Sequence, residues 1–426
     1  MSDSDSNVKV WLGGMVLLFA LCAGAVPVSA DQFHYKNNLI GERASGLAGA
    51  YTAVSDSPAG CFYNPAGMVY IPGNSLSASV NAYNYSSKVY KNTLTRADGT
   101  GVDYEQKSSV LLPNYFGFVS NLGRVKMGLS YAVPDASQSN QKQVFSNLVS
   151  TIGTQIDRYT ININDVDNTY QFGPSLAFAL GDKWAIGTTV YAHYRNATVI
   201  RNQLVELANQ EFEWTNQYQD RTDWGVQPKL GLMGELTDKL TLGLTVSRLW
   251  ITSTDYREQT TYRGISSSGY SDPNLVDFTI VNSENKPTYP WVTTVGLAWF
   301  PSPRLLLSCD ASYYSEVSGA SAKEATFNLA AGAEYYFTDR LALRGGLFTD
   351  RSNTPDFQPG LVNQAEHVDL YGGTLSMTRF TKASATTLGV GYATGSGDAQ
   401  MGANSTRSQT VEVDNLSVYL SASYSF

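Results

Sequence analysis

Charge is scarce in this sequence. Lys, Arg, Asp and Glu make up only 15% of its 426 residues, against roughly a quarter in an ordinary soluble domain. The balance is acidic, at −8, which excludes the basic footprint of a nucleic-acid-binding protein. Cysteine is nearly absent. Cys22, Cys61 and Cys309 are too few for a disulfide framework and lack zinc spacing. His34, His193 and His367 are scattered, so neither a metal site nor a cofactor is expected. No phosphate loop occurs, and no nucleophile is marked beside His193 or His367, so the chain does not read as an enzyme. Beyond the first thirty residues no segment approaches the ~20 apolar residues of a spanning helix. Any membrane crossing is therefore made by strands.

The single apolar run lies at the N-terminus. Residues 10–28 carry no charge, Lys9 precedes them, and Val28-Ser29-Ala30 offers small residues for cleavage. Residues 1–30 are expected to be a signal peptide. Asp3 and Asp5 make its start acidic, so translation from Met15 is an alternative, and Leu21 before Cys22 is a poor lipoprotein signal.

Tyrosine and glycine are abundant, at 27 and 37 copies, and from about residue 75 apolar residues recur with period two. Trp224, Val226, Leu230, Leu232 and Leu236 alternate with polar residues, Thr237-Asp238 turns the chain, and Leu240, Leu242, Leu244 and Val246 resume the pattern. Successive strand side chains point to opposite faces, so each arm has one greasy and one polar face. The same design recurs around Gly181-Asp182, Pro301-Ser302-Pro303 and Thr338-Asp339. Short turns near 122, 182, 238, 302, 338 and 381 alternate with long polar linkers near 86–107, 134–167, 196–221, 251–288, 351–366 and 394–410. Short turns opposite long loops, with aromatics at strand ends, are the pattern of an outer-membrane barrel. The expected fold is all-β: a transmembrane antiparallel β-barrel of about fourteen strands over residues 75–426. Its closing strand alternates through Leu416, Val418, Leu420, Ala422 and Tyr424 to Phe426, like the signal read by the barrel-assembly machinery.

Residues 31–74 do not alternate. They are rich in small residues, including Gly46, Ala48 and Gly49, and contain Asn64-Pro65-Ala66. A compact plug, or hatch, inside the barrel fits them better than a disordered leader, because they carry aromatics and little charge. The stretch from Ser45 to Tyr51, then Asp56 and Asn64-Pro65-Ala66, resembles the N-terminal hatch of the FadL family, outer-membrane transporters of long-chain fatty acids and hydrocarbons. Leu343-Arg344-Gly345-Gly346-Leu347 with Asp350 is similar to a late-barrel segment of that family. The resemblance implies passive transport of a hydrophobic small molecule such as a fatty acid, a location in the outer-membrane lipid of a Gram-negative cell, and a movable hatch built on Asn64, Pro65 and Ala66, with Gly46, Ala48 and Gly49 packing close to the wall. Family members release ligand through an opening in the barrel wall.

Some candidates come from the residues alone. Lys229 and Arg344 face inward by parity and could hold a carboxylate, although Glu235 and Glu334 could instead pair with them. Val144, Leu148, Ile152 and Ile156, and then Ile200, Leu204, Leu207 and Ala208, fall at helical spacing. On this reading, Leu148, Ile152, Leu204 and Leu207 belong to amphipathic loop helices that capture ligand. A monomer is expected. The alternatives are a general diffusion porin, which needs no plug, and a structural or adhesive barrel working through its loops.

Overall fold

A computed structural model describes residues 33–35, 38–150, 153–265, 277–319, 322–401 and 406–426. The expected signal peptide, residues 1–30, lies outside the described residues. Seventeen strand segments form one antiparallel sheet. They are β1 (Ser75–Thr95), β2 (Gly101–Leu122), β3 (Val125–Val149), β4 (Gln155–Leu180), β5 (Trp184–Leu207), β6 (Phe212–Thr237), β7 (Leu240–Arg248), β8 (Trp250–Ile265) and β9 (Asp277–Ser283). They continue with β10 (Trp291–Ser302), β11 (Leu305–Tyr314), β12 (Thr326–Thr338), β13 (Leu341–Asp350), β14 (His367–Val368), β15 (Leu370–Phe380), β16 (Ser384–Ala399) and β17 (Gln409–Ser425). β8 continues β7 and β14 continues β15, while β9 pairs only with β8. Fourteen staves remain, and β1 pairs with β17 from Ser75↔Ser425 onward, which closes the barrel. The expected turns all appear between successive staves.

The lipid face follows the parity of the sequence. Leu230, Val226, Ile186, Phe178, Leu297 and Leu329 are exposed, while Thr189, Ser130, Thr245 and Asn328 on the opposite face are buried. A row of outward aromatics crosses six neighbouring segments. Tyr131, Tyr170, Tyr194 and Trp224 lie with ring centroids 6.3, 6.1 and 4.6 Å apart, and Trp250 meets Trp291 at 5.6 Å. On β4, Tyr170 stands ten residues before Leu180 at the far end of the strand, the ~9–11 residues a tilted strand needs to cross. A second set, Trp299, Tyr335, Phe337, Tyr424 and Phe426, is exposed at the short-turn end. These are the two interfacial girdles.

Beyond the Tyr131–Trp291 row the sheet does not stop. β3, β4 and β6 are 25, 26 and 26 residues long, so most of the expected polar loops at 86–107, 134–167 and 196–221 are strand. The expected loop helices are not formed. Val144 and Leu148 lie in β3, Ile156 in β4, and Ile200, Leu204 and Leu207 in β5. A spacing of four is also an even number, so it marks one face of a strand as well as one face of a helix. The β-branched and aromatic residues among and between these positions, such as Phe145, Val149, Ile200 and Val205, favour strand.

Residues 33–35 and 38–74 fill the lumen at the short-turn end. Helices Glu42–Gly46 and Gly60–Tyr63 and the 3₁₀ turn Pro65–Tyr70 are linked by tight turns. Ile40, Ala44, Leu47, Tyr51, Val54 and Ala59 form an apolar centre that reaches the wall at Tyr115, Ala298 and Leu306.

Candidate functional site

Pro65 fixes the first residue of the 3₁₀ turn and forces Asn64 into extended backbone, φ −146° and ψ 103°. The Asn64 side chain is wholly buried. Its Oδ1 accepts from Ala66 N at 3.2 Å, and its Nδ2 donates to Thr52 O at 2.8 Å and to Leu232 O on β6 at 3.1 Å. One amide thus holds the corner, joins two parts of the hatch and pins both to the wall.

The wall makes room with glycine. Gly128, Gly187, Gly231, Gly243, Gly296, Gly332 and Gly346 all face inward, and a Cβ on any of them would run into the hatch. At Gly187 it would lie 2.5 Å from Ala66 N; at Gly332 and Gly346, 2.8 Å from atoms of Leu47 and Ala48. Two of the three small hatch residues named from the sequence, Gly46 and Ala48, lie against the wall. Gly46 lies against Arg344, with its carbonyl accepting from Thr374 Oγ1 at 3.1 Å. Ala48 meets Gly346, but Gly49 packs on Leu39 within the hatch and is glycine for its φ of +83°. The wall glycines, absent from the sequence expectation, sit at polar-face positions of the same alternation that marks the lipid face.

Polar contacts complete the seat. The Tyr51 and Thr52 N–H groups donate to Asp310 Oδ2 at 3.1 and 2.9 Å. Lys126 donates to Ile71 O at 2.7 Å and Thr189 to Cys61 O at 2.8 Å. Arg43 bridges Asp56 of the hatch and Glu334 of the wall, both at 2.6 Å. Burial pushes the Cys61 thiol up to about 11 and raises the Glu42 carboxyl above its ordinary value.

The two expected headgroup cations are both inward, as parity requires, but both are committed. Arg344 pairs with Glu334 directly opposite it in the ladder and donates to Thr378. Lys229 donates to the Phe62 carbonyl and sits 4.6 Å from the Phe62 ring centre, not beside Glu235. These cations hold the hatch and its wall.

On the long-loop side of the hatch the lumen becomes apolar. Ile161, Ile163, Tyr90, Tyr104, Val411 and Val413 form an inward collar. Farther out, Leu148 and Leu207 join Ile156 and Val205 in a second cluster. Leu204 lies on the opposite face of β5, and Ile152 is outside the described residues. Asn147, with φ +54°, interrupts the alternation, so Val144 is exposed and Leu148 buried.

The wall has a seam. β2 and β3 pair from Leu122↔Val125 to Tyr115↔Ala132 and then part; beyond that point β2 pairs with β1 and β3 with β4. Farther out, side chains such as Ser108 and Ser137, 3.3 Å apart, bridge the two strands. The hatch reaches this seam through Asn38, which donates to Val133 O at 3.4 Å and accepts from Asn84 at 3.2 Å.

A family described as outer membrane protein transport protein (OMPP1/FadL/TodX) matches residues 22–361. No curated protein sequence matches the chain significantly. A FadL homologue from Pseudomonas aeruginosa is similar in structure, with a TM-score of 0.63 and 16% identity over 92% of this chain and 100% of its own. The toluene transporter TodX of P. putida gives 0.61 and 16% over 92% and 99%. The toluene transporter TbuX of Ralstonia pickettii gives 0.53 and 15% over 92% and 99%.

Proposed function

We propose, from the premise that this chain belongs to the outer membrane protein transport family of FadL and TodX, that it carries hydrophobic small molecules passively across the outer membrane and performs no catalytic step. The observation that carries this reading is the sequence of environments along the lumen. An apolar collar lies outside, and a hatch seated on polar contacts lies beneath it. An apolar solute leaving the polar cell surface partitions into the collar, where burial returns ~25 cal/mol per Å² of its area. The next step displaces the hatch, whose outer tether at Asn38 is also its link to the seam between β2 and β3. Movement of that segment frees the wall at the point where the ladder already parts, and the solute leaves sideways toward lipid.

The ligand class is hydrophobic, as the relatives named for toluene suggest. A fatty-acid carboxylate is the weaker candidate, because Lys229 and Arg344 are engaged. Uptake of radiolabelled toluene and of a long-chain fatty acid into cells that express the chain, against cells that lack it, tests the reading. Faster entry of at least one is expected; equal entry of both in the two strains overturns it.

A further inference from the structure

The layer of wall directly above the hatch places polar side chains between ion pairs. β4 and β5 place Gln171 opposite His193, and the next strand brings Gln227 opposite Tyr191. All four face inward on their parity. His193 is only 3% exposed, and neither ring nitrogen has a hydrogen-bond partner among the described residues. Gln171 donates its amide to Gln227 at 2.5 Å, and its own Oε1 is unpartnered among the described residues. Buried polar groups are nearly always paired, so three open valences in one layer call for a partner. The surroundings are aromatic. Tyr289 stands edge-on to the His193 ring at 6.5 Å, and Tyr191 lies 6.3 Å from Phe62 of the hatch. Two ion pairs flank the layer, Arg195 bidentate to Asp167 at 2.6 and 3.0 Å and Arg221 with Asp223 at 2.8 Å, and Lys229 donates to the Phe62 carbonyl.

We propose that Gln171 and His193 form a ligand subsite above the hatch that selects a phenol: an aromatic ring among Tyr191, Tyr289 and Phe62, with its hydroxyl on the two open polar groups. The proposal rests on the transporter reading and narrows its ligand. A neutral imidazole offers one donor and one acceptor, and Gln171 Oε1 offers only an acceptor. A hydroxyl both donates and accepts, so it satisfies Gln171 Oε1 and an imidazole N–H together. A carboxylate cannot donate and meets Oε1 acceptor to acceptor. A plain arene fits the rings but leaves the polar atoms unpaired. Sites built to hydrogen-bond a ligand group discriminate against the analogue that lacks it.

The test is equilibrium dialysis of radiolabelled p-cresol, toluene and 4-methylbenzoate against the intact barrel, hatch included, in lipid nanodiscs, with protein-free nanodiscs as the blank. p-Cresol should bind about three- to tenfold more tightly than toluene, the worth of a hydrogen bond or two, and 4-methylbenzoate should not exceed the blank. His193→Phe should bring p-cresol down to the toluene level with toluene unchanged, and His193→Gln should keep part of the preference. Toluene bound with no preference for p-cresol, tighter binding of 4-methylbenzoate, or equal losses of p-cresol and toluene in His193→Phe would each overturn the subsite and leave the transporter reading standing. If none of the three binds above the blank, both fail.

Discussion

Replacing Asn64 with alanine removes the one side chain that ties the hatch corner to itself and to the wall. Three hydrogen bonds are lost, to Thr52 O, to Leu232 O and from Ala66 N. Each is buried, and the net worth of such a bond is about 1 kcal/mol, with a further penalty where a buried partner is left unpaired. Ala66 N has no other acceptor in the corner, so a total near 3 kcal/mol follows from these magnitudes. That loss falls on the hatch, since the ladder of β6 with β5 and β7 is untouched. Local opening of the corner should therefore become about 100-fold more frequent, at a factor of ten per 1.4 kcal/mol. Hydrogen exchange at Ala66 and Gly67 reads this directly, with amides of β11 to β13 as the internal control. A thiol probe gives a second readout. Cys61 is wholly buried, and its thiol, pushed up to about 11, is almost undissociated at pH 8. It should resist maleimide in the parent chain and react in the variant, on a Cys309→Ser background because Cys309 is exposed. Unchanged exchange and unchanged Cys61 reactivity in a folded Asn64→Ala barrel would refute the claim that this amide secures the hatch.

Other perturbations separate wall from hatch. Leu242→Arg puts a charge on the lipid face and should cost about 2–4 kcal/mol of barrel stability in a denaturant titration, whereas Gly243→Ala, one residue away, should leave the barrel stable and loosen Thr52 and Ala53, as seen by hydrogen exchange. A contrast between a greasy face and a wet one does not apply at this level of the barrel, because the inward side of Met233 and Gly243 is filled by the hatch. Glu334→Gln leaves Arg344 without its carboxylate and Arg43 with Asp56 alone, and should cost about 3–5 kcal/mol, divided between hatch release and wall stability; an unshifted unfolding midpoint together with unshifted hatch exchange would argue against the charge bridge. Deleting Phe426 removes its paired backbone bonds with Asn74 and its stacking on Tyr424 and Phe118, so the yield of heat-modifiable barrel should fall far more than on trimming residues from the 351–366 loop.

The barrel was legible because its solvent is anisotropic. Lipid outside and polar lumen inside impose a period of two on every stave, and Leu230, Leu232, Leu242 and Leu244 carry it without interruption. The corner at Asn64 was legible because Pro65 and the Asn amide specify local geometry by themselves. What lay beyond reading depends on partners distant in sequence. Lys229 and Arg344 were placed on the correct face, and Glu334 across the hairpin was readable as a partner for Arg344, but only the fold brings Phe62 rather than Glu235 to Lys229. The sheet extensions were hidden because a strand above the membrane has no lipid face to oil, so its residues read as polar loop. The four-residue spacing of Ile200 and Leu204 could not then separate helix from strand. The inward glycines were readable in principle: at Gly187, Gly231 and Gly243 the polar face shows no side chain at all, which on a wall facing only water would be an unexplained loss of strand stability.

The account stands on the hatch closing a barrel that would otherwise leak. Single-channel conductance in planar bilayers measures this, comparing the chain with a variant lacking residues 31–74, each first shown to be folded by heat-modifiable migration. The parent should conduct hardly at all and the truncated barrel should carry a steady ionic current. A folded truncated barrel with no more conductance than its parent, or a parent that already conducts like an open pore, would contradict the account.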